Sequence, residues 1–167
     1  MKKKETFNLT QSVLDREKNT IEALSRIWKC EYKYAGKDVF SRVDGFMFKE
    51  DTLKAIFEIK CRNQSLSWFR DYKSCMVSYN KIQIGSDISR LLKVKFFIII
   101  ETGDRSIIVF QITDDEGKII CPMNIRHNEI EKNTNFDNVK EIQTTTTAYL
   151  YLEENKYLRI YKESDYE

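Results

Sequence analysis

The stretch Ala55-Ile56-Phe57-Glu58-Ile59-Lys60 carries two charged side chains inside an otherwise apolar segment. In a β-strand, alternate side chains leave opposite faces, so Glu58 and Lys60 share one face while Phe57 and Ile59 point to the other. This pattern predicts a polar site set into a buried sheet. The alternative is a same-face salt bridge on a half-exposed strand, which contributes under about 1 kcal/mol in water.

A further acidic side chain precedes this strand, in the segment Arg42-Val43-Asp44-Gly45-Phe46. A hairpin through residues 49–52 would bring Asp44 beside Glu58, and Gly45 leaves room next to it. Two adjacent carboxylates repel each other, and a divalent cation is one of the few partners that make their closeness favourable. The pair therefore predicts a Mg²⁺ or Mn²⁺ site, although an Asp-Gly pair alone also suits a turn.

The flanking sequence predicts regular elements on both sides of this pair. Helical spacing of Leu14, Ile21, Leu24 and Trp28 predicts a first helix. Strands are predicted over residues 31–35, 40–48 and 53–61, with turns at 36–38 and 49–51. A second helix is predicted from Ser78 to about residue 93, and two buried strands over 95–101 and 106–112. Residues 148–152 and 157–161 are predicted to form a hairpin, whereas the signal over 68–76 is mixed.

Composition narrows the function classes. The 167 residues suffice for one packed domain spanning 1–167, and the net charge of +2 is too small to hold nucleic acid by bulk attraction. His127 is the only histidine, which disfavours most zinc-hydrolase and Ser-His-Asp mechanisms. The cysteines are scattered, and no apolar run approaches the ~20 residues of a membrane span. The N-terminus does not show the pattern of a secretory signal, so we expect a cytoplasmic protein.

These residues resemble the PD-(D/E)xK nuclease superfamily of restriction-endonuclease-like and Holliday-junction-resolvase-like enzymes, over roughly residues 14–112. The resemblance implies an α/β fold with an αβββαβ core over about 10–114. Its mixed central sheet is flanked by helices, and a C-terminal β extension covers about 119–162. It also implies a metal-dependent nuclease acting on nucleic acid, expected to be DNA, and a homodimer in some members. Asp44 and Glu58, with the Ile59 carbonyl, would bind Mg²⁺ or Mn²⁺, and Lys60 would assist catalysis. Val43 stands where the name-giving proline would be.

The same resemblance suggests supporting residues. Glu17 lies within the apolar stripe of the first helix, whereas Glu22 lies on its polar face, so Glu17 is the candidate acid facing the site. Lys81 near the start of the second helix, with Gln83 behind it, is the candidate cation for the scissile phosphate. Glu17 would equally suit a boundary position, and Lys81 a solvated helix position.

Residues 62–73 offer weaker candidates for nucleic-acid contact. Arg62, Arg70 and Lys73 could hold phosphates or only solubilise a loop. Trp68 and Phe69 could stack on bases, although aromatic side chains after a strand more often belong to the core.

Acid-x-Lys alone is weak evidence, because it recurs in Glu31-Tyr32-Lys33 and Glu154-Asn155-Lys156. Only Glu58 to Lys60 sits in an apolar strand that follows an Asp-bearing one. The rival hypothesis is a catalytically inactive module that keeps the fold for binding or assembly, and a third is a toxin or RNA-processing nuclease. A single proline with abundant lysine, isoleucine and asparagine suggests an AT-rich genome, such as that of a phage or mobile element.

Overall fold

The computed structural model describes residues 11–35, 42–133 and 140–166. The N-terminal lysines, the predicted turn at 36–38 and the start of the predicted strand at residue 40 lie outside these ranges. Within them the element order is α1 (Gln11–Trp28), β1 (Glu31–Tyr34), β2 (Gly45–Lys49), β3 (Thr52–Cys61), α2 (Leu66–Tyr72), β4 (Ser74–Ser78), α3 (Tyr79–Leu92), β5 (Lys95–Glu101), β6 (Ile107–Gln111), β7 (Met123–Asn133), β8 (Lys140–Tyr151), β9 (Leu158–Tyr161) and a 3-10 helix (Glu163–Asp165).

The central sheet has six strands in the order β1-β2-β3-β5-β6-β9. Neighbours pair antiparallel except β3 and β5, which are parallel. A parallel pair needs a crossover connection, and here α2, β4 and α3 supply it. The predicted α/β class with a mixed central sheet is therefore confirmed.

The two faces of this sheet are covered differently. On one face, Ile21 and Leu24 of α1 pack in a cluster with Phe57 and Ile59 of β3. On the other, Ile56 of β3 belongs to a second cluster that includes residues of α2, α3, β4 and β8. Because alternate residues of β3 point to opposite faces, Glu58 and Lys60 lie on the α3 side.

A second, three-stranded antiparallel sheet has the order β4-β8-β7. The predicted hairpin of residues 148–152 with 157–161 is wrong, because β8 pairs with β4 and β7 while β9 pairs with β6 of the central sheet. Asn155 explains the break: its side chain donates to the Tyr151 carbonyl at 2.8 Å and accepts from the Tyr157 amide at 3.0 Å. The chain therefore turns away instead of folding back on β8. The predicted C-terminal β extension contributes β7 and β8 to the second sheet and β9 to the central sheet.

Residues 68–76, whose sequence pattern favours neither helix nor strand, lie in α2 and β4. Ser65 caps α2 by accepting from the Trp68 amide, and the Asp104 carboxylate accepts from the Leu66 amide. Phe69 is buried, as the core interpretation expects, but Trp68 is 40% exposed and stacks on Tyr72 at 4.8 Å between ring centroids. Periodicity misses α2 because its seven residues span only about two turns.

Among the described residues, no helix combines the length and apolar character needed to cross a membrane.

Candidate metal and catalytic site

Asp44 lies immediately before β2 and is fixed by three hydrogen bonds. Its amide donates to the Phe57 carbonyl at 2.9 Å, and its carbonyl accepts from the Ala35 amide at 3.0 Å. Its carboxylate Oδ2 accepts from the Ile59 amide at 2.7 Å. The side chain of Asp44 therefore continues the pairing with β3 beyond Gly45 and Phe57, the last paired residues of β2 and β3.

This contact also orients the backbone of Ile59. In an extended strand, the N–H and C=O of one residue point to the same edge. Since the Ile59 N–H points to Asp44, its carbonyl faces the same edge of β3, where no residue of β2 pairs with it. The Ile59 carbonyl thus lies on the side of the strand that carries the Asp44 carboxylate.

Gly45 provides the space that this arrangement needs. A Cβ at this position would lie 2.5 Å from the ring of Phe57 and 2.6 Å from the carbonyl oxygen of Lys33. Both neighbours are closer than real contacts allow, so the close approach of β1, β2 and β3 beside Asp44 depends on glycine.

Glu58 is the most buried charged group of the site, with a side chain only 2% exposed. Its Oε1 lies 2.6 Å from the ammonium of Lys60 and 3.1 Å from that of Lys81. The hydrogen bond between Lys60 and Glu58 contributes to the raised pKa of Lys60. Lys81 also donates to Oε2 at 3.3 Å. A buried carboxylate therefore lies in the cavity between two ammonium groups.

The structure brings the predicted Lys81 to this centre through α3. Ser78 is the N-cap residue, as predicted from sequence, although its side chain caps no amide. Lys81 lies three residues later, in the first turn. Gln83 is exposed and does not line the cavity that contains Glu58, Lys60 and Lys81.

Glu17 approaches from α1, on the other side of the sheet, and half-burial raises its pKa to about 6. The Asp44 carboxylate adds to this rise, Glu58 contributes further, and Lys60 acts in the opposite sense. Glu17 is therefore within electrostatic reach of the other candidate residues. Glu22 instead accepts a hydrogen bond from the Tyr32 hydroxyl at 3.3 Å, in agreement with its predicted position on the other face of the helix.

The pKa values of Asp44 and Lys60 reflect a crowded group of charges. Burial raises the pKa of Asp44, and Glu58 raises it further, although the hydrogen bond from the Ile59 amide lowers it. Burial lowers the pKa of Lys60, but the carboxylates of Glu58, Asp44 and Glu17 together more than offset this, so the pKa lies above its ordinary value. The site favours added positive charge, which the lysines supply in part.

The donors present fit a hard divalent cation. Mg²⁺ is commonly held by one or two carboxylates, with water and substrate oxygens completing its shell. Asp44, Glu58 and the Ile59 carbonyl offer such oxygens, and a carboxylate oxygen can accept a metal bond besides its ion pairs. In the part of the chain that the structure describes, no three His, Cys, Asp or Glu side chains form a ready metal cluster. The backbone carbonyl would thus be the third protein ligand.

The weaker nucleic-acid candidates separate into two places. Arg62 lines the same cavity as Glu58, Lys60 and Lys81, together with Ser78. Arg70 is exposed near the end of α2, and Lys73 follows it in an exposed ion pair with Glu153 at 3.4 Å. Only Arg62 lies at the cavity. Ser78 was predicted only as a helix cap, and nothing in the sequence marked it as a residue that would line this cavity.

A mixed sheet whose buried strand carries an acid and a lysine beside a second carboxylate defines a nuclease-like class of α/β protein. The family described as "Phage putative PDDEXK endonuclease" matches residues 3–135. The chain belongs to this family, and thereby to the PD-(D/E)xK superfamily that its sequence resembles. No curated protein and no solved structure matches the chain.

Proposed function

We propose that the protein is a divalent-metal-dependent nuclease that hydrolyses phosphodiester bonds of DNA at the site formed by Asp44, Glu58 and Lys60. The observation that carries this proposal is the Glu58 carboxylate, which is 2% exposed and shares one cavity with Lys60 and Lys81, while the amide of the adjoining Ile59 fixes the Asp44 carboxylate. Family membership supports the reaction class.

Asp44, Glu58 and the Ile59 carbonyl would hold Mg²⁺ or Mn²⁺, which when bound makes a water ligand more acidic and offsets charge on the scissile phosphate. Asp44 is preorganised for this task, because the Ile59 amide fixes one of its oxygens. Glu17, which Asp44 and Glu58 influence electrostatically, would complete the shell, directly or through water.

Lys60 acts as a cation in this proposal. The ordinary lysine pKa of about 10.4 keeps this side chain protonated at neutral pH and makes it a poor base, and the carboxylates around it raise that pKa further. A protonated lysine can orient the attacking water and stabilise the negative charge that develops on the phosphate. Lys81 and Arg62, which line the same cavity, are placed to bind the phosphate oxygens.

The rival function is a binding or assembly module without catalysis. One observation favours it: Lys60 and Lys81 already neutralise Glu58, which lets the buried carboxylate persist without a metal. The rival predicts that nucleic acid or a protein partner binds and that no bond is cut under any metal condition.

The deciding experiment incubates the purified protein with labelled linear, branched and single-stranded DNA, each with Mn²⁺ or with EDTA. Cleavage in Mn²⁺ that EDTA abolishes supports the nuclease. Binding without cleavage in every combination supports the rival module. RNA of the same sequences tests the RNA-processing alternative.

Site variants connect any activity to these residues. Lys60→Ala is expected to reduce cleavage at least a hundredfold while retaining DNA binding, and Asp44→Asn to lose both cleavage and Mn²⁺ affinity measured by calorimetry. Lys54→Ala is the matched control, because Lys54 is an exposed lysine of the same strand. Full activity in either site variant rejects the assignment.

We further propose that the protein acts in the cytoplasm of the host of a phage. Its four cysteines are unpaired, which fits a reducing compartment, and the family description names phages.

A further inference from the structure

The sheet β4-β8-β7 has one face in the core and one face open. Cys75 and Val77 of β4 and Ala148 and Leu150 of β8 lie in the core cluster with residues of α2 and α3. The alternate residues must therefore point away from the core. They form what is called here the outer face: Met76, Ser78, Asn124, Arg126, Thr147, Tyr149 and Tyr151, with the buried Ser74 opposite Tyr151.

Four of these seven residues are exposed, and Asn124, Thr147 and Tyr149 are half-buried. Met76 is 45% exposed, Tyr151 is 40% exposed, and Arg126 is also exposed. Met76 lies directly opposite Tyr149, and Asn124 lies opposite Tyr149 on the other side. Tyrosine rings thus occupy successive positions on one face of β8.

The outer face is continuous with the candidate active site. Ser78, at the end of β4, lies opposite Thr147 on the outer face and also lines the cavity with Glu58 and Lys81. Two residues along a strand span about 7 Å. Tyr149 and Tyr151 therefore lie roughly 7 and 14 Å along β8 from the row that borders the cavity.

The charge of the outer face suits a polyanion. Arg126 lies over the ring of Tyr149, with its guanidinium carbon 4.8 Å from the ring centroid. None of the outer-face residues just defined is acidic. Glu129 of β7 is an odd number of residues from Arg126 and so points to the opposite face.

We propose that the outer face binds unpaired nucleotides of the substrate strand, with a base stacked on the exposed ring of Tyr151 and a phosphate held by Arg126, whose guanidinium lies over the ring of Tyr149. An exposed aromatic ring on a sheet can stack on a base without reading its sequence, and a neighbouring arginine adds backbone contact. Blunt duplex DNA cannot offer unstacked bases. The substrate class is therefore single-stranded or branched DNA, an inference that rests on the proposed nuclease function.

A second copy of the chain is the weaker candidate for this surface. A specific protein interface buries about 800 Å² on each partner. Tyrosine side chains bury about 150–250 Å² each when fully covered, so two partly exposed tyrosines and one methionine supply less apolar area than that. The polar rows of Ser78, Thr147 and Asn124 also favour a charged, hydrated ligand.

The test measures binding apart from cleavage. In a Lys60→Ala background with Mg²⁺, fluorescence anisotropy follows a 12-nucleotide single strand of DNA, the same strand of RNA and a blunt duplex of the same sequence. Tyr149→Leu and Tyr151→Leu are each expected to weaken single-strand binding about tenfold, because leucine keeps apolar bulk but removes the ring that stacks on Arg126 in the first case and on a base in the second. Tyr149→Phe should bind like the parent, and Leu91→Ala, at an 82% exposed leucine of α3, is the control.

Several outcomes overturn the inference. It fails if the leucine variants bind single strands as the parent does, if they weaken duplex and single strand equally, or if no single strand binds. It also fails if light scattering shows a dimer that the leucine variants dissociate, which assigns the surface to a second copy. Tighter binding of RNA than of DNA would support the outer face as the binding surface and would overturn the assignment of DNA as the substrate. If the outer-face variants show no effect on binding but the protein cleaves DNA with Mn²⁺, the proposed nuclease function stands and only this surface is rejected. If single strands bind to the outer face but no DNA is cleaved under any condition, the nuclease function is rejected and the binding surface stands.

Discussion

At the scale of single residues, the main feature is that two ammonium groups approach one buried carboxylate. Glu58 is 2% exposed, whereas the side chains of Lys60 and Lys81 are 36% and 34% exposed. Burial therefore penalises Glu58 far more than it penalises either lysine. Either lysine can neutralise the carboxylate, so the charge of Glu58 stays compensated when one of the two lysines is removed.

This redundancy predicts non-additive effects on stability. Lys60→Ala and Lys81→Ala should each cost about 1 kcal/mol or less, because the remaining ammonium still pairs with Glu58. The double variant leaves a buried carboxylate unpaired and should cost about 3 kcal/mol or more. Urea unfolding in EDTA measures all three, with Lys54→Ala as the exposed-lysine control.

Adding Mn²⁺ to the double variant should restore part of the lost stability, since a divalent cation would take the place of the ammonium groups. Two small and additive losses, with no response to Mn²⁺, would contradict the shared-carboxylate arrangement.

At the scale of elements, α2 depends on a contact from another part of the chain. Asp104, between β5 and β6, accepts from the Leu66 amide at 3.1 and 3.2 Å and from the Thr102 hydroxyl. Burial acts to raise its pKa, but these hydrogen bonds outweigh that effect, so the pKa lies below the ordinary aspartate value. The first turn of α2 is therefore stabilised by a charge distant in sequence.

The lowered pKa gives a signed prediction for stability against pH. A carboxyl group whose pKa is lower in the folded state stabilises the fold above its unfolded pKa of about 3.9, and this contribution disappears as pH falls through the folded value. Asp104→Asn should cost about 1 kcal/mol at pH 7, and the difference from wild type should shrink below pH 4. Urea titrations at several pH values test this, with exposed Asp115→Asn as control. A stability difference between Asp104→Asn and wild type that stays constant down to pH 2 would contradict this role of the Asp104 carboxylate.

At the scale of the whole molecule, residues beyond 135 complete both sheets. β4 pairs with β8, and the edge of the central sheet at β6 is covered by β9. Tyr161 of β9 also accepts a hydrogen bond from the indole of Trp28 at 2.9 Å, which connects the sheet edge to α1. We propose that residues 1–167 unfold as one unit.

A fragment ending at residue 135 is therefore expected not to fold, although the family match covers residues 3–135. It lacks the partner strand of β4 and exposes the edge of β6. A chain ending at residue 162 keeps β8 and β9 and should lose little stability. Calorimetry and circular dichroism compare the two with the full chain, for which a single transition is expected. A folded 1–135 fragment would show that the two sheets do not depend on β8 and β9.

The sequence alone determined the central features of this protein. The strand that contains Glu58 and Lys60 was predicted from an apolar run in which one face is polar. This prediction was possible because the two-residue period of a strand can be read from neighbouring residues in the sequence. The stripe around Leu24 fixed α1, and Asp44 followed by Gly45 marked the approach of β2. The confirmed α/β class and superfamily membership came from these patterns.

Tertiary structure decided what local pattern could not express. The pairing of β9 with β6 depended on which sheet edge was free, and the position of Lys81 beside Glu58 depended on how α3 packs. The outer face with Tyr149 and Tyr151 exists because β4 pairs with β8 in a second sheet and not with a strand of the central sheet. Each is a contact between residues distant in the chain, and its free energy depends on burial and on competing partners that exist only after folding.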